Sequence, residues 1–293
     1  MMNCCALLFR SFMKITIIGT GNVAFHLGKR FKEKHIKIAQ IVGRNAEKAA
    51  QLAQVLDTDF TIDFNEINTK SHLYIIAVSD SAIPSVAEAL SQSIDNQLVV
   101  HTSGSMPSTI LQPYFTHFGI LYPLQTFSIN SYPDFDKIPI FINASTSLPK
   151  NTEDSQNSAQ QPIDFLRQIA LKLSPNIYEL SDEKRVIVHI AAVIVNNFTN
   201  HLYAIGEEIL KKEGLPFDVL KPLIVETVRK VQQNSPRDMQ TGPARRGDAV
   251  TLEKHLDYLK KQTPQYFDLY KLISESITHY PFSIINCPLL HLI

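Results

Sequence analysis

The chain has 293 residues, enough for two domains of ordinary size and a substantial core. Its 28 Lys+Arg balance 28 Asp+Glu and 44% of it is apolar. That is the make-up of a soluble globular protein, and it carries no charge excess suited to nucleic acid or a membrane surface. The three cysteines, Cys4, Cys5 and Cys287, have no metal-ligand spacing and build no disulfide framework. The expectation is a cytoplasmic protein without a metal site.

The start, MMNCCALLFRSF, has an apolar run too short for a signal-peptide core and reads as an extension (residues 1–12). From Lys14 onward, strand and helix signals alternate. KITIIG (14–19) is a strand, and Asn22 to Lys34 a helix. IKIAQIV (36–42) is a second strand, followed by the helix NAEKAAQLAQVL (45–56). HLYIIAV (72–78) is apolar almost throughout, as suits a strand covered on both faces. Its helix, SAIPSVAEAL, tolerates Pro84 in the first turn. QLVVHT (97–102), FGILYP (118–123) and IPIFIN (138–143) are further strands. The pattern predicts an α/β fold, a doubly wound parallel sheet over residues 13–148.

Residues 149–162 are polar and read as a linker. The rest, 163–280, predicts an all-α domain. Ser181 caps a long helix to Lys212, and further helices run from Pro216 to Gln233, Ala249 to Lys261 and Pro264 to Thr278. Residues 281–293 form an apolar tail, expected to pack on the body or on a partner subunit.

The first strand runs into Gly19-Thr20-Gly21-Asn22-Val23-Ala24, a G-x-G-x-x-A loop that opens a helix. Gly19 permits the turn, Gly21 lets a pyrophosphate reach backbone N–H groups, and Ala24 lets the helix pack on the sheet. In this strand–loop–helix context it is the fingerprint of a Rossmann NAD(P)-binding domain. The second strand ends Val42-Gly43-Arg44-Asn45, with no acid for a ribose 2′-hydroxyl. Arg44 suits a 2′-phosphate, which favours NADP over NAD. Val78 and Ser79 end a strand at the ligand-binding edge of the sheet and are expected to flank the cofactor. His101 and Ser103, after the next strand, either face the nicotinamide or hydrogen-bond within the edge. Gln125, in YPLQTF, is either a substrate contact or part of a turn.

The long helix VIVHIAAVIVNNFTNHLYAIG is apolar almost all round, which predicts central burial. His189, Asn196 and Asn200 fall at i, i+7 and i+11, close to one face. One reading makes His189 the general acid and Asn196 and Asn200 substrate contacts in an interdomain cleft; the other makes them interface hydrogen bonds. In TGPARRGD (241–248), Arg246 either clamps an anionic substrate or pairs with an acid to fix the loop, while Asp248 caps the next helix.

IIGTGNVAFHL, AVSDSAI, VVHTSGS, YPLQTFS and TGPARRGD occur in that order. Over residues 14–280 the chain resembles Rossmann-like proteins whose second half is domain of unknown function 2520. These are similar to deazaflavin-dependent NADP oxidoreductases, pyrroline-5-carboxylate reductases and 6-phosphogluconate or β-hydroxyacid dehydrogenases. The resemblance implies an NAD(P)-binding fold and a helical domain that dimerises and receives a small-molecule substrate. β-Hydroxyacid dehydrogenases carry K-x-x-N-N on the long helix; here Asn196 and Asn197 are kept and Val193 replaces the Lys. The chain thus reads as an NADP-dependent oxidoreductase (NAD being the other candidate). It would move hydride to or from a C=O or C=N carbon of a small anionic substrate, with His189 or His101 as acid/base. The alternative is an NAD(P)-binding sensor or partner-binding dimer without turnover, which the missing Lys favours.

Overall fold

A computed structural model describes residues 13–146 and 162–278. The expected N-terminal extension, the linker up to residue 161 and the apolar tail lie outside the described residues. Contacts divide the chain into one unit ending at Asn196 and a second beginning at Asn197.

The first unit is built on one eight-stranded sheet in the order β3-β2-β1-β4-β5-β6-β7-β8. β1 (Lys14–Ile18), β2 (Lys37–Val42), β4 (Leu73–Ile76), β5 (Leu98–His101) and β6 (His117–Pro123) fall where the apolar runs place them, and all run parallel. Four of the five residues of β1 are buried, because helices cover both faces. α1 (Asn22–Glu33), α2 (Ala46–Leu56) and α4 (Pro162–Leu173) pack on one face, and α3 (Ile83–Ser91) on the other.

Two features depart from the sequence reading. β7 (Ile140–Thr146) runs antiparallel to β6, the connection between them carrying only a short 3-10 turn (Phe135–Lys137) and no crossover helix. Two strands of three residues each, β3 (Asp59–Thr61) and β8 (Ile177–Glu179), close the sheet's edges. By contacts the first unit reaches Asn196, since α4 buries Leu166, Ile169, Ala170 and Leu173 in the sheet's core and β8 pairs with β7.

The long helix is continuous from Asp182 to Lys212 but not uniform. It comprises α5 (Asp182–Ala192), a π-helical segment (Val193–Phe198) and α6 (Thr199–Lys212). The π segment, with its i→i+5 bonds, breaks the 3.6-residue period that the stripe His189–Asn196–Asn200 requires. Central burial is also corrected: no residue from Val186 to Ala204 is buried, and Ile187, Ile190, Ile194, Val195 and Phe198 are exposed. By length and composition this helix is long and apolar enough to cross a membrane. The second unit adds α7 (Lys221–Gln233), α8 (Pro243–Arg246), α9 (Ala249–Gln262) and α10 (Phe267–Thr278).

Candidate active site

β1 has β2 on one side and β4 on the other, so the chain reverses its winding at the carboxyl end of β1. The glycine loop lies there, where open α/β sheets bind ligands. Gly19 has φ +122°, and a side chain on it would run into the Ala77 carbonyl. Nothing lies within 4 Å of where a Cβ on Gly21 would stand, so the approach to the backbone is clear. Gly21 is the N-cap of α1 and no side chain caps that helix, so its first N–H groups can serve an anionic ligand. The amide of Asn22 is used elsewhere: its Nδ2 donates to the Phe127 carbonyl at 2.7 Å. His26, buried one turn on, stacks on Phe127 and is within 2.8 Å of the Ser128 carbonyl through Nε2. The loop carrying Gln125 and Phe127 is thereby tied to the glycine-loop helix.

These groups line a cleft of about 760 Å³ that includes Gly19, Thr20, Gly21, Asn22 and Val23. Arg44, Val78 and Ser79 also line it, so the structure brings every sequence-predicted cofactor residue together. Lys48, which the sequence reading missed, lines the cleft as well. Asn45 caps α2 by accepting the Lys48 N–H at 2.9 Å, so Arg44 and Lys48 flank that helix's N-terminus, both exposed. A dinucleotide fits this donor set: open amides at one helix start, two cations at the next.

Gln125 is also on the cleft wall, beside the cofactor residues. Ser103 is buried, and its Oγ accepts the N–H groups of Ser105 and Met106 at 3.1 and 3.0 Å, which holds the turn. His101 is fully buried. Its Nδ1 accepts the Ser103 N–H at 3.2 Å and its Nε2 faces the Pro107 carbonyl at 3.3 Å. Burial lowers its pKa to about 4, against the Pro107 hydrogen bond, and the Arg185 charge adds to the lowering. With both ring nitrogens engaged inside the fold, His101 is a neutral structural group rather than an acid/base.

His189 is half-buried on α5, and its Nδ1 lies 3.0 Å from Tyr122 Oη. Tyr122 is the penultimate residue of β6 and stacks on Phe141. Burial raises its pKa, with the Arg185 charge opposing and Asp80 adding, so the phenol keeps its proton at neutral pH. Gly104 makes the pairing possible: a Cβ there would run into the His189 ring and stand 2.8 Å from Tyr122 Cζ.

Arg185, one turn before His189, is 1% exposed. It donates to the Gly104 and Met106 carbonyls and pairs with Asp182 at 2.5 Å. Asp182 accepts the Ser108 N–H and hydroxyl at 2.7 and 2.8 Å. Burial alone would raise the Asp182 pKa, but the bonds from Arg185 and Ser108 outweigh it and hold the carboxyl below its ordinary value. The first turn of α5 is therefore stapled to the loop after β5. Sequence spacing carried the signal for this set, Asp182, Arg185 and His189 at i, i+3 and i+7; their partners on the 104–108 loop it did not show.

Asn196 closes the first unit in the π segment, and Asn200 and Arg246 belong to the second unit. In TGPARRGD, Gly242 (φ +105°) and Gly247 (φ +68°) bracket α8. Asp248 caps α9 by accepting the Thr251 N–H at 3.1 Å, as expected. Arg245 and Arg246 are exposed, while buried Ala244 packs inward and its carbonyl accepts the Thr278 hydroxyl at 3.3 Å. Among the described residues there is no His, Cys, Asp and Glu cluster suited to a metal.

Residues 14–104 match the family described as NADP oxidoreductase coenzyme F420-dependent, and residues 156–277 match domain of unknown function DUF2520. A solved structure from Bacteroides fragilis, described as a "putative NADP oxidoreductase", is 39% identical with a TM-score of 0.82, covering 92% of this chain and 99% of that one. A pyrroline-5-carboxylate reductase from Coxiella burnetii is 12% identical with a TM-score of 0.54, covering 92% and 100%. An imine reductase from Myxococcus stipitatus in complex with NADP+ is 13% identical with a TM-score of 0.56, covering 90% and 91%. These last two share the fold. No curated protein matches the sequence.

Proposed function

We propose, for a chain that belongs to the family joining an NADP oxidoreductase domain to a DUF2520 domain, that it reduces or oxidises a C=N or C=O bond of a small molecule with NADP. The observation that carries this is the cleft at the switch point, with the uncapped α1 N-terminus on its wall and Arg44 and Lys48 also lining it. The α1 amides and Gly21 would hold the pyrophosphate; Arg44 and Lys48 would hold the 2′-phosphate. When bound, the nicotinamide supplies or accepts the hydride. The solved imine and pyrroline-5-carboxylate reductases of the same fold make a cyclic imine the first probe to try.

Calorimetric titration tests the cofactor reading. NADPH is expected to bind more tightly than NADH. Replacing Arg44 and Lys48 together by Ala is expected to weaken NADPH by about 10- to 100-fold, the loss of charge-assisted bonds, and leave NADH nearly unchanged. Absence of binding by either dinucleotide would remove the reading.

The same reading places the protein in the cytoplasm as a homodimer. α7 has no buried residue, yet carries exposed Leu223, Val225 and Val228. This exposed apolar face of the second unit is the kind that a partner covers, and a second copy accounts for it. Sedimentation should give twice the chain mass of 33.1 kDa. Val225→Asp with Val228→Asp should give the single-chain mass; a wild type that sediments as one chain rejects the dimer.

A further inference from the structure

Hydride transfer to a C=N or C=O carbon needs a proton at the nitrogen or oxygen. The chain lacks the Lys that serves this purpose in β-hydroxyacid dehydrogenases, with Val193 in its place. His101, the other sequence candidate, is sealed by Ser103 and Pro107. One pair that can carry a proton is joined to the wall of the dinucleotide cleft by two short stretches of chain. Thr102 and Gln125 line that cleft. Two residues beyond Thr102 is Gly104, against His189; three residues before Gln125 is Tyr122, hydrogen-bonded to the same His189.

We propose that Tyr122 and His189 form the proton-delivery pair of this site, Tyr122 touching the substrate heteroatom and His189 resupplying Tyr122. This rests on the dinucleotide reading above. In the reductive direction the substrate carbon gains the hydride, with its two electrons, from the reduced dinucleotide. The Tyr122 O–H bond breaks and its proton goes to the substrate nitrogen or oxygen. The proton on His189 Nδ1 moves across the hydrogen bond to the phenolate oxygen while solvent protonates Nε2, so no imidazolate forms. His189 is half-buried, and Ile190 and Ala191 beside it are exposed, so water can supply that proton to its ring. The net change is one hydride and one proton added to the substrate.

The arrangement also explains why the surroundings are so constrained. Gly104 has no side chain because the pair occupies the space a Cβ would need. Arg185 fixes the loop carrying Gly104 from the same helix that carries His189. The substrate class that follows is one with a basic or carbonyl acceptor atom beside the reacting carbon, the imines and ketones.

The test uses the full chain with ¹⁵N-labelled histidine, compared with Tyr122→Phe and His189→Gln. His189→Gln identifies the ring's resonances. In Tyr122→Phe the Nδ1 resonance of His189 should move while the buried His101 resonances stay in place, and NADP⁺ should shift the His189 signals in the wild type. With NADPH and a cyclic imine, Tyr122→Phe should lower kcat by about 100- to 10,000-fold, the usual worth of a positioned acid, with NADPH affinity unchanged. An unmoved His189 Nδ1 in Tyr122→Phe, no response of His189 to bound NADP⁺, or wild-type turnover by Tyr122→Phe would each overturn the proposal. Failure of NADP⁺ to bind at all, measured by calorimetry, would instead strike the dinucleotide reading on which it stands.

Discussion

Lowering the pH from 6.5 to 4 is expected to cost the first unit about 3 kcal/mol of stability through His101 alone. In the native protein the ring is fully buried and its pKa falls from 6.5 to about 4. Between these values the unfolded chain takes up a proton that the native ring refuses. The stabilisation is complete above pH 6.5, declines as the pH falls, and is spent below about pH 4. Carboxylates titrate at the lower end of this window, so the informative quantity is a difference. Chemical denaturation of wild type and His101→Asn at pH 7.5 and 4.5 isolates it. The Asn variant should be less stable at the higher pH and lose much less on acidification. Equal pH slopes in the two proteins would show that the ring is not held neutral.

Arg185→Ala should destabilise the first unit by about 3–5 kcal/mol, as much as truncating a large buried apolar side chain. The guanidinium is 1% exposed, so water cannot take its place readily. Its removal leaves the Gly104 and Met106 carbonyls without their donor and Asp182 without its cation. Asp182 is 17% exposed and recovers some hydration, which favours the lower end of that range. Adding Asp182→Asn to Arg185→Ala should cost little more and can restore part of the loss, since a lone charge is dearer than a removed pair. The same denaturation experiment decides: a cost for Arg185→Ala below about 1 kcal/mol, typical of surface pairs, would mean the staple carries no load.

The amino-acid pattern disclosed the sheet and its cofactor edge because those depend on local chemistry. Apolar runs such as HLYIIAV can satisfy themselves only between two layers, and G-x-G-x-x-A has meaning as soon as a strand precedes it. β3 and β8 escaped notice because three residues, with one or none buried, carry too little periodicity to register. Asn196 and Asn200 were aligned with His189 on the assumption of an unbroken α-helix, and nothing in VIVNNF announces a π turn. His101 and Tyr122 illustrate the remaining gap. Both lie at the ligand-edge end of a strand, His101 last in β5 and Tyr122 next to last in β6, and only packing shows that one ring is enclosed by its own loop while the other meets His189. Long-range pairing, such as Tyr122 with a residue 67 positions away, is written in the fold and not in the spacing.

The two edges of the sheet have a bearing on how the protein keeps good company in a crowded solution. An open sheet offers unpaired backbone groups only along its outermost strands, and those are where chains zip together into aggregates. Here the outermost strands, Asp59–Thr61 and Ile177–Glu179, are three residues each, too short to template another strand. Strand-by-strand extension is thus disfavoured in the first unit, and the exposed apolar side chains of α5, α6 and α7 offer association through helices, where pairing is limited by side-chain shape.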